Sequence, residues 1–199
     1  MTPAARIGAA VVAVIACASL IGQFILGYGP EDTAVGTIWA RLRYFTIITG
    51  IMVAATFTWM TLSGRRAEPR WTAGITLWIL IVMVVYHGLL ATYGKSGLAF
   101  WTDHGSHTFT PILTALWWLV FARHIAFPWR LAILWLAYPA IYLAYALLRG
   151  AFDGVYPYFF VDLSRFPASQ ILVYCIGLCI AFWLAGLGMI AVARVRARV

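Results

Sequence analysis

Long apolar segments follow one another along this chain, separated by short polar links rich in glycine and proline. A helix needs about 20 mostly apolar residues to cross the hydrocarbon core of a bilayer, and six segments reach that length. They lie at about 6–28, 42–62, 72–93, 106–127, 129–149 and 167–193. The pattern predicts an all-α membrane protein, a bundle of six transmembrane helices forming a single integral membrane domain over residues 1–199.

Helix-ending residues in the links support these boundaries. Gly64 follows the second segment, Pro128 separates the fourth from the fifth, and Pro167 stands at the start of the sixth, where proline is tolerated. The first segment begins after Arg6, as in a signal peptide, but continues to about Tyr28. That length is enough to span a bilayer, so we interpret the segment as a retained helix.

Basic residues are distributed unevenly over the links, and this predicts the orientation. Six spans place both termini on one side, which carries nine of the 14 basic residues, while the other side carries five, with five of the six acidic residues. An excess of arginine and lysine marks the cytoplasmic side. Both termini are therefore predicted to be cytoplasmic.

Composition narrows the class of protein further. Hydrophobic residues make up 64% of the chain and charged residues 10%, which excludes an ordinary soluble domain. The net charge of +8 lies at the ends of apolar segments rather than on a basic face with stacking aromatics, so nucleic acid is not an expected partner. Arginine replaces lysine almost everywhere, Lys95 being the single lysine, and with the abundant alanine and valine this is typical of a GC-rich bacterial genome. We therefore expect an integral, multipass protein of a bacterial cytoplasmic membrane.

Two polar clusters open the second and fourth predicted helices, and ionisable groups within a membrane are candidates for function. Thr46 and His107 lie at similar depth because both helices run from outside to inside. A hydroxyl and an imidazole so placed can form a nucleophile–base pair. Asp103, four residues before His107, would orient the ring if the helix reaches back that far, giving Asp–His–Thr.

Structural explanations for the same residues stay open. A membrane threonine usually bonds to its own helix or to a neighbouring one, and a histidine near the boundary can simply be hydrated. Ser106 is a rival nucleophile, although it lacks the Gly-x-Ser-x-Gly frame. On the fifth helix, Tyr138 and Tyr142 lie deep enough to line a cavity, whereas Arg149 is explained by interfacial anchoring.

Three motifs in this order resemble the androgen-induced protein family, whose bacterial branch is called the Pr6Pr membrane proteins. They are Arg43-Tyr44-Phe45-Thr46, His104-Gly105-Ser106-His107-Thr108 and Tyr156-Pro157-Tyr158-Phe159-Phe160-Val161-Asp162. The resemblance covers most of the chain, including the helix count. One departure is Thr49-Gly50, where bacterial relatives carry Ser-Asn.

The resemblance implies an activity. Animal members of that family are multipass hydrolases of fatty acid esters of hydroxy fatty acids, working through a threonine and a histidine, which would be Thr46 and His107 here. We expect a lipid or fatty acyl ester substrate to enter from the outer leaflet, with no cofactor or metal. Asp103, His104, Tyr138 and Tyr142 are the expected supporting residues. The expected substrate-binding residues are Arg43, His87, Arg149, Asp162 and Arg165.

Two alternatives remain at this point. His87, His104 and His107, with Asp103 and Asp162, could approach one vestibule and hold zinc, which would also cleave esters. The chain could instead be a non-enzymatic lipid-binding membrane protein. A transporter is less expected, because the sequence has no repeated halves and no paired broken helices.

Overall fold

The computed structural model describes residues 1–198, and within them it is all-helical, with no strand. Its helices are α1 (Pro3–Gly27), α2 (Ala34–Arg41), α3 (Phe45–Ser63), α4 (Pro69–Val85), α5 (Gly97–His104), α6 (Thr110–Phe121), α7 (Leu131–Leu134), α8 (Ala137–Asp153) and α9 (Ala168–Arg196). A π-helical turn, Tyr86–Leu90, continues α4, and a second one, Gly105–Phe109, joins α5 to α6. A 3₁₀ turn covers Phe159–Val161.

Five helical segments of the described chain are long and apolar enough to cross a membrane by length and composition. They are Pro3–Gly27, Phe45–Ser63, Pro69–Leu90, Leu131–Asp153 and Ala168–Arg196. These segments fit a multipass membrane protein, and they correspond to five of the six predicted spans. The predicted fourth span, 106–127, is not among them, so the count of six stays a prediction.

The fourth segment differs from its predicted bounds. The helix that contains it begins at Gly97 and ends at Phe121. The helix starts earlier than predicted because it includes the polar turn around Asp103, which a search for apolar runs leaves out. The helix also ends earlier than the predicted residue 127, because the backbone becomes extended at Ala122 (ψ 153°). The short helix Ala34–Arg41, capped by the Thr33 side chain, was not predicted either.

Local chemistry explains the ends of the long helices. Proline occupies the first helical position of α1 and α4, where no amide hydrogen is needed, and Thr2 and Glu68 cap these helices through their side chains. At the other end of α3, Gly64 adopts the left-handed conformation (φ 68°) that a helix terminus commonly requires and that glycine adopts without strain.

The contacts divide the chain into two compact units, Met1–Arg123 and a second one that begins at His124. In the first, α1 packs against α3 and against the helix at 97–121, while α4 packs against α3 and α6. Small residues form the buried stripe of α1 and allow this close approach. They are Ala5, Ala9, Ala16, Ser19 and Gly22. The predicted single domain stays a prediction.

Aromatic and aliphatic side chains fill the core of the first unit. Phe57 on α3 is fully buried and meets Trp117 on α6 edge to face, with ring centroids 5.1 Å apart. The Trp117 indole donates a hydrogen bond to the backbone oxygen of Ala5 on α1 (2.8 Å). One aromatic residue therefore ties three helices together.

In the second unit, α9 packs against α7 and the 3₁₀ turn. Arg194 near the end of α9 donates to the Phe127 backbone oxygen (2.8 Å) and lies over the Trp129 ring. Most large apolar residues of α9 remain exposed, which is expected of a surface that faces lipid and costly for one that faces water. They include Leu172, Val173, Ile176, Ile180 and Leu184.

Candidate functional site

The predicted base, His107, lies in the π-helical turn Gly105–Phe109, and its ring is held on two sides. Its Nδ1 lies 2.9 Å from the backbone oxygen of Asp103, one turn earlier on the same helix. The ring stacks on Tyr86 with centroids 3.7 Å apart and planes only 11° from parallel. The side chain is 12% exposed, so the imidazole is enclosed but reachable.

These contacts assign the tautomer of His107. A backbone carbonyl can only accept a hydrogen bond, so Nδ1 carries the proton in the neutral ring and donates it. The lone pair is then on Nε2. Nε2 is therefore the nitrogen available to accept a proton from a nucleophile.

Asp103 lies beside the ring, because the helix reaches back past it to Gly97. Its Oδ1 is 3.4 Å from His107 Nδ1, and the residue is buried. The carboxylate is bonded more closely to two other groups. Tyr86 donates its hydroxyl hydrogen to the carboxylate, 2.6 Å and 2.8 Å from the two oxygens, and the Lys95 ammonium donates to Oδ1 at 2.7 Å and to the Tyr86 hydroxyl at 3.0 Å.

Thr46, the predicted nucleophile, is the second residue of α3 and half-buried. Its helix packs against the turn that carries His107. The contacts that the structure gives His107 go to Asp103 and Tyr86, and none of them reaches Thr46. Arg43 precedes the helix in the chain and is buried.

A second imidazole–hydroxyl pair lies beside this site. His87 Nε2 is 3.0 Å from the Thr108 hydroxyl oxygen, and each residue belongs to one of the two π-helical turns. The His87 ring also meets Tyr86 edge to face, with centroids 5.2 Å apart. His104 is engaged elsewhere: its Nδ1 bonds to the Phe100 backbone oxygen (3.1 Å) and its ring stacks on Phe100.

The remaining predicted site residues belong to the second unit. Tyr142 and Arg149 are buried, and Arg149 Nη1 donates to the Tyr145 hydroxyl (2.7 Å). Asp162 accepts from the Ser164 backbone amide (2.9 Å), which is a local turn contact. The other two are Tyr138, which is half-buried, and Arg165, whose Nε lies 3.7 Å from Asp162.

The histidines and carboxylates that the zinc hypothesis requires do not come together as a ligand set in the described residues. Across residues 1–198, no group of three or more His, Cys, Asp or Glu side chains converges as metal ligands would. His107 Nδ1 already donates to a carbonyl, and His104 and His87 are directed to separate partners.

Tyr86, Lys95 and Thr108 were not predicted from the sequence as site residues. Lys95 is the only lysine of the chain, which was the one available signal. Its partner Asp103 is eight residues away on a helix that begins only after Lys95, so helical spacing does not relate the two residues.

The Lys95–Asp103 pair should stabilise the fold over a wide pH range. Burial lowers the pKa of Lys95, but its bonds to Asp103 and Tyr86 outweigh this and raise it. Burial raises the pKa of Asp103, but Lys95, Tyr86 and nearby His107 lower it overall. The lysine contribution is complete below its ordinary pKa and lost as the pH rises through the folded value. The aspartate contribution is complete above its ordinary pKa and lost as the pH falls through the folded value.

Thermal unfolding of the full chain in detergent measures this effect. At neutral pH, Lys95→Met should cost about 2 kcal/mol and lower Tm by roughly 4–8 °C. The deficit should shrink at strongly acid and strongly alkaline pH. Arg165→Met is the matched control, because its pair with Asp162 is loose and its side chain is 67% exposed, so it should cost about 0.5 kcal/mol or less. A Lys95→Met deficit independent of pH would contradict the assignment.

Comparison with known proteins adds no relative: no family model matches the chain, and no curated protein or solved structure matches it.

Proposed function

We propose that this protein is a membrane-embedded hydrolase that cleaves lipid esters, such as fatty acid esters of hydroxy fatty acids, with Thr46 as nucleophile and His107 as base. The observation that carries the proposal is the held imidazole of His107, whose contact with the Asp103 backbone oxygen assigns the proton to Nδ1 and the lone pair to Nε2. A base needs that fixed orientation. The resemblance of the three motifs supplies the reaction and the threonine.

The reaction proceeds through an acyl-threonine. His107 Nε2 takes the hydroxyl proton as Thr46 Oγ attacks the ester carbonyl, and a tetrahedral oxyanion forms. Its collapse breaks the ester bond and expels the alcohol, which receives the proton from His107. Water, deprotonated by His107, then attacks the acyl group and releases the fatty acid, restoring Thr46. The position of Thr46 in the first turn of α3 favours the developing negative charge, because a helix N-terminus is partially positive.

The apolar helices and the buried arginine around the proposed site suggest how a lipid ester would bind. A lipid ester would enter from the outer leaflet and place its acyl chains against the apolar helix walls. The chemical step requires Thr46 Oγ within about 3 Å of His107 Nε2, or one water away, once substrate is bound. Arg43, buried in the first unit, is the proposed group for a substrate carboxylate there.

Hydrolysis by the purified protein in detergent tests the proposal. A fatty acid ester of a hydroxy fatty acid should yield one fatty acid and one hydroxy fatty acid per turnover. We expect the activity to survive a strong chelator, since the chemistry uses no metal. Loss with chelator and recovery with Zn²⁺ would favour the zinc hydrolase instead. Bound lipid without turnover of any ester would favour a lipid-binding protein.

The His87–Thr108 pair is a second candidate for nucleophile and base, favoured by its 3.0 Å contact. A fluorophosphonate that traps activated hydroxyl groups distinguishes the two assignments. Digestion and mass spectrometry should place the adduct on Thr46. An adduct on Thr108 would transfer the proposed mechanism to His87 and Thr108 and leave the reaction class unchanged.

The location and topology that we propose are the bacterial cytoplasmic membrane, six spans and both termini in the cytoplasm. The uneven charge of the links supports this orientation. The segment at 97–121 decides between six and five spans. Single cysteines at positions 93 and 123, in a chain with its native cysteines replaced, flank that segment.

An impermeant maleimide applied to whole cells reads the topology directly. Tyr93→Cys should react in intact cells and Arg123→Cys only after lysis. Tyr93 is 89% exposed, which makes it a suitable site for labelling. Equal reactivity at both positions would place them on one side and contradict the six-span topology.

A further inference from the structure

His107 and three neighbouring side chains, Tyr86, Lys95 and Asp103, form a polar cluster, which we call the Lys95 cluster. The ammonium, the phenol and the carboxylate are joined by bonds of 2.6–3.0 Å. The imidazole lies against the cluster through its Nδ1 edge and its stacked face. Tyr86 therefore touches His107 with its ring and Asp103 with its hydroxyl.

Charge in this cluster bears directly on the imidazole. A lone carboxylate next to Nδ1 would favour the protonated ring, which cannot act as a base. The Lys95 ammonium, 2.7 Å from the same carboxylate oxygen, offsets that negative charge. The pair stays ionised at neutral pH, because the pKa of Lys95 is raised and that of Asp103 is lowered.

We propose that Lys95 and Tyr86 are positioning residues for the base, holding Asp103 so that it orients the His107 ring without leaving a net negative charge beside it. The proposal rests on the proposed function, and it deepens that function by assigning the control of the base. Lys95 offsets the negative charge that Asp103 would otherwise place beside the His107 ring. Tyr86 fixes the plane of the ring by stacking and the position of the carboxylate by its hydroxyl.

Other titratable groups near the ring are left unchanged by the test. His87 meets Tyr86 on the neighbouring π-helical turn, and His104 lies one turn before on the same helix. Arg43 lies just before α3, the helix that packs against the turn of His107. The neighbouring stretch of α1 presents Ser19, a neutral group, to Gly105. Lys95→Met and Asp103→Asn each remove one charge from the Lys95 cluster and leave these groups in place.

The pH profile of kcat/KM for ester hydrolysis separates positioning from a merely structural role. In Lys95→Met the acid-side midpoint should rise by about one pH unit or more, because the carboxylate now acts on the imidazole unopposed. In Asp103→Asn it should fall, because the ammonium remains without the carboxylate. Lys95→Arg should restore the wild-type midpoint. Arg65→Met, exposed in the link after α3, should leave the profile unchanged.

Tyr86→Phe tests the contribution of the tyrosine hydroxyl alone. It keeps the stacking ring and removes the hydroxyl bonds to Asp103 and Lys95. We expect about a tenfold loss in kcat with little change in KM, since the base is misplaced while substrate contacts persist. Tyr93→Phe, an exposed phenol, is the matched control. A change in KM alone would overturn the role given to Tyr86.

A second readout does not need turnover. Histidine-selective ¹⁵N NMR of the full chain in detergent, with the His107 signal assigned by its loss in His107→Gln, follows protonation of this ring directly. Opposite shifts of its midpoint in Lys95→Met and Asp103→Asn would sustain the proposal even if no ester is hydrolysed. Midpoints that move together, or do not move in folded variants, would overturn it even if the hydrolase reaction stands.

Discussion

Thr46→Ala should reduce kcat/KM for ester hydrolysis by about 10³-fold or more while leaving the fold intact, because it removes the attacking oxygen. His107→Ala should cost a similar factor. The double variant should be no worse than either single one, since nucleophile and base act as a unit. Initial rates with one ester at saturating and limiting concentrations, on protein checked for its thermal unfolding, measure these effects.

The chain offers a close control for the threonine. Thr58 is also half-buried and lies on the same helix, more than three turns beyond Thr46. Thr58→Ala should retain wild-type activity within about twofold. Thr46→Ser should keep measurable turnover because it preserves the hydroxyl. Full activity in Thr46→Ala, together with loss in Thr108→Ala, would assign the nucleophile to the pair with His87.

Gly105→Leu should be strongly damaging although Gly105 is not a reacting group, destabilising the fold by about 3 kcal/mol or more. A Cβ at Gly105 would collide with the Ser19 hydroxyl oxygen and lie 3.2 Å from its Cβ, so α1 and the helix at 97–121 would have to separate. His107, two residues further on, would move with that backbone. Thermal unfolding in detergent and the rate of ester hydrolysis should both fall.

A glycine-to-leucine substitution at an open position is the control for Gly105→Leu. Gly177 on α9 has no neighbouring atom within 4 Å of a Cβ, and leucine is a better helix former than glycine, so Gly177→Leu should be neutral or stabilising. In a Gly105→Ala background, Ser19→Gly should restore part of the loss, because it removes the colliding atoms. Equal stability of Gly105→Leu and Gly177→Leu would show that the two helices do not need this close contact.

Hydropathy and helix-ending residues were enough to locate most of the fold. The predicted segments 42–62 and 167–193 correspond to Phe45–Ser63 and Ala168–Arg196, and Gly64 and Pro167 stand at their ends. The polar start of the helix at 97–121 escaped prediction because Lys95 and Tyr86 satisfy its buried carboxylate. Those partners come from outside the helix, so no pattern within the segment reveals them.

The candidate site was predictable where its partners share one helix. The four-residue spacing of Asp103 and His107 places carboxylate and ring side by side, as the sequence suggested. Tyr86 stacks on His107 from another helix, and that contact depends on how α4 packs against the helix at 97–121. The Thr46–His107 pair stays a prediction for the same reason.

Each π-helical turn changes the direction in which the side chains after it point around the helix axis. Each wide turn holds one residue more than an α-helical turn would, and one residue corresponds to about 100° of rotation. Deleting a single residue within Gly105–Phe109 would therefore restore an α-helix and rotate all of α6 by that angle relative to α5. Thr114 and Trp117, now buried, would leave the interior. The extra residue thus sets which face of α6 joins the core.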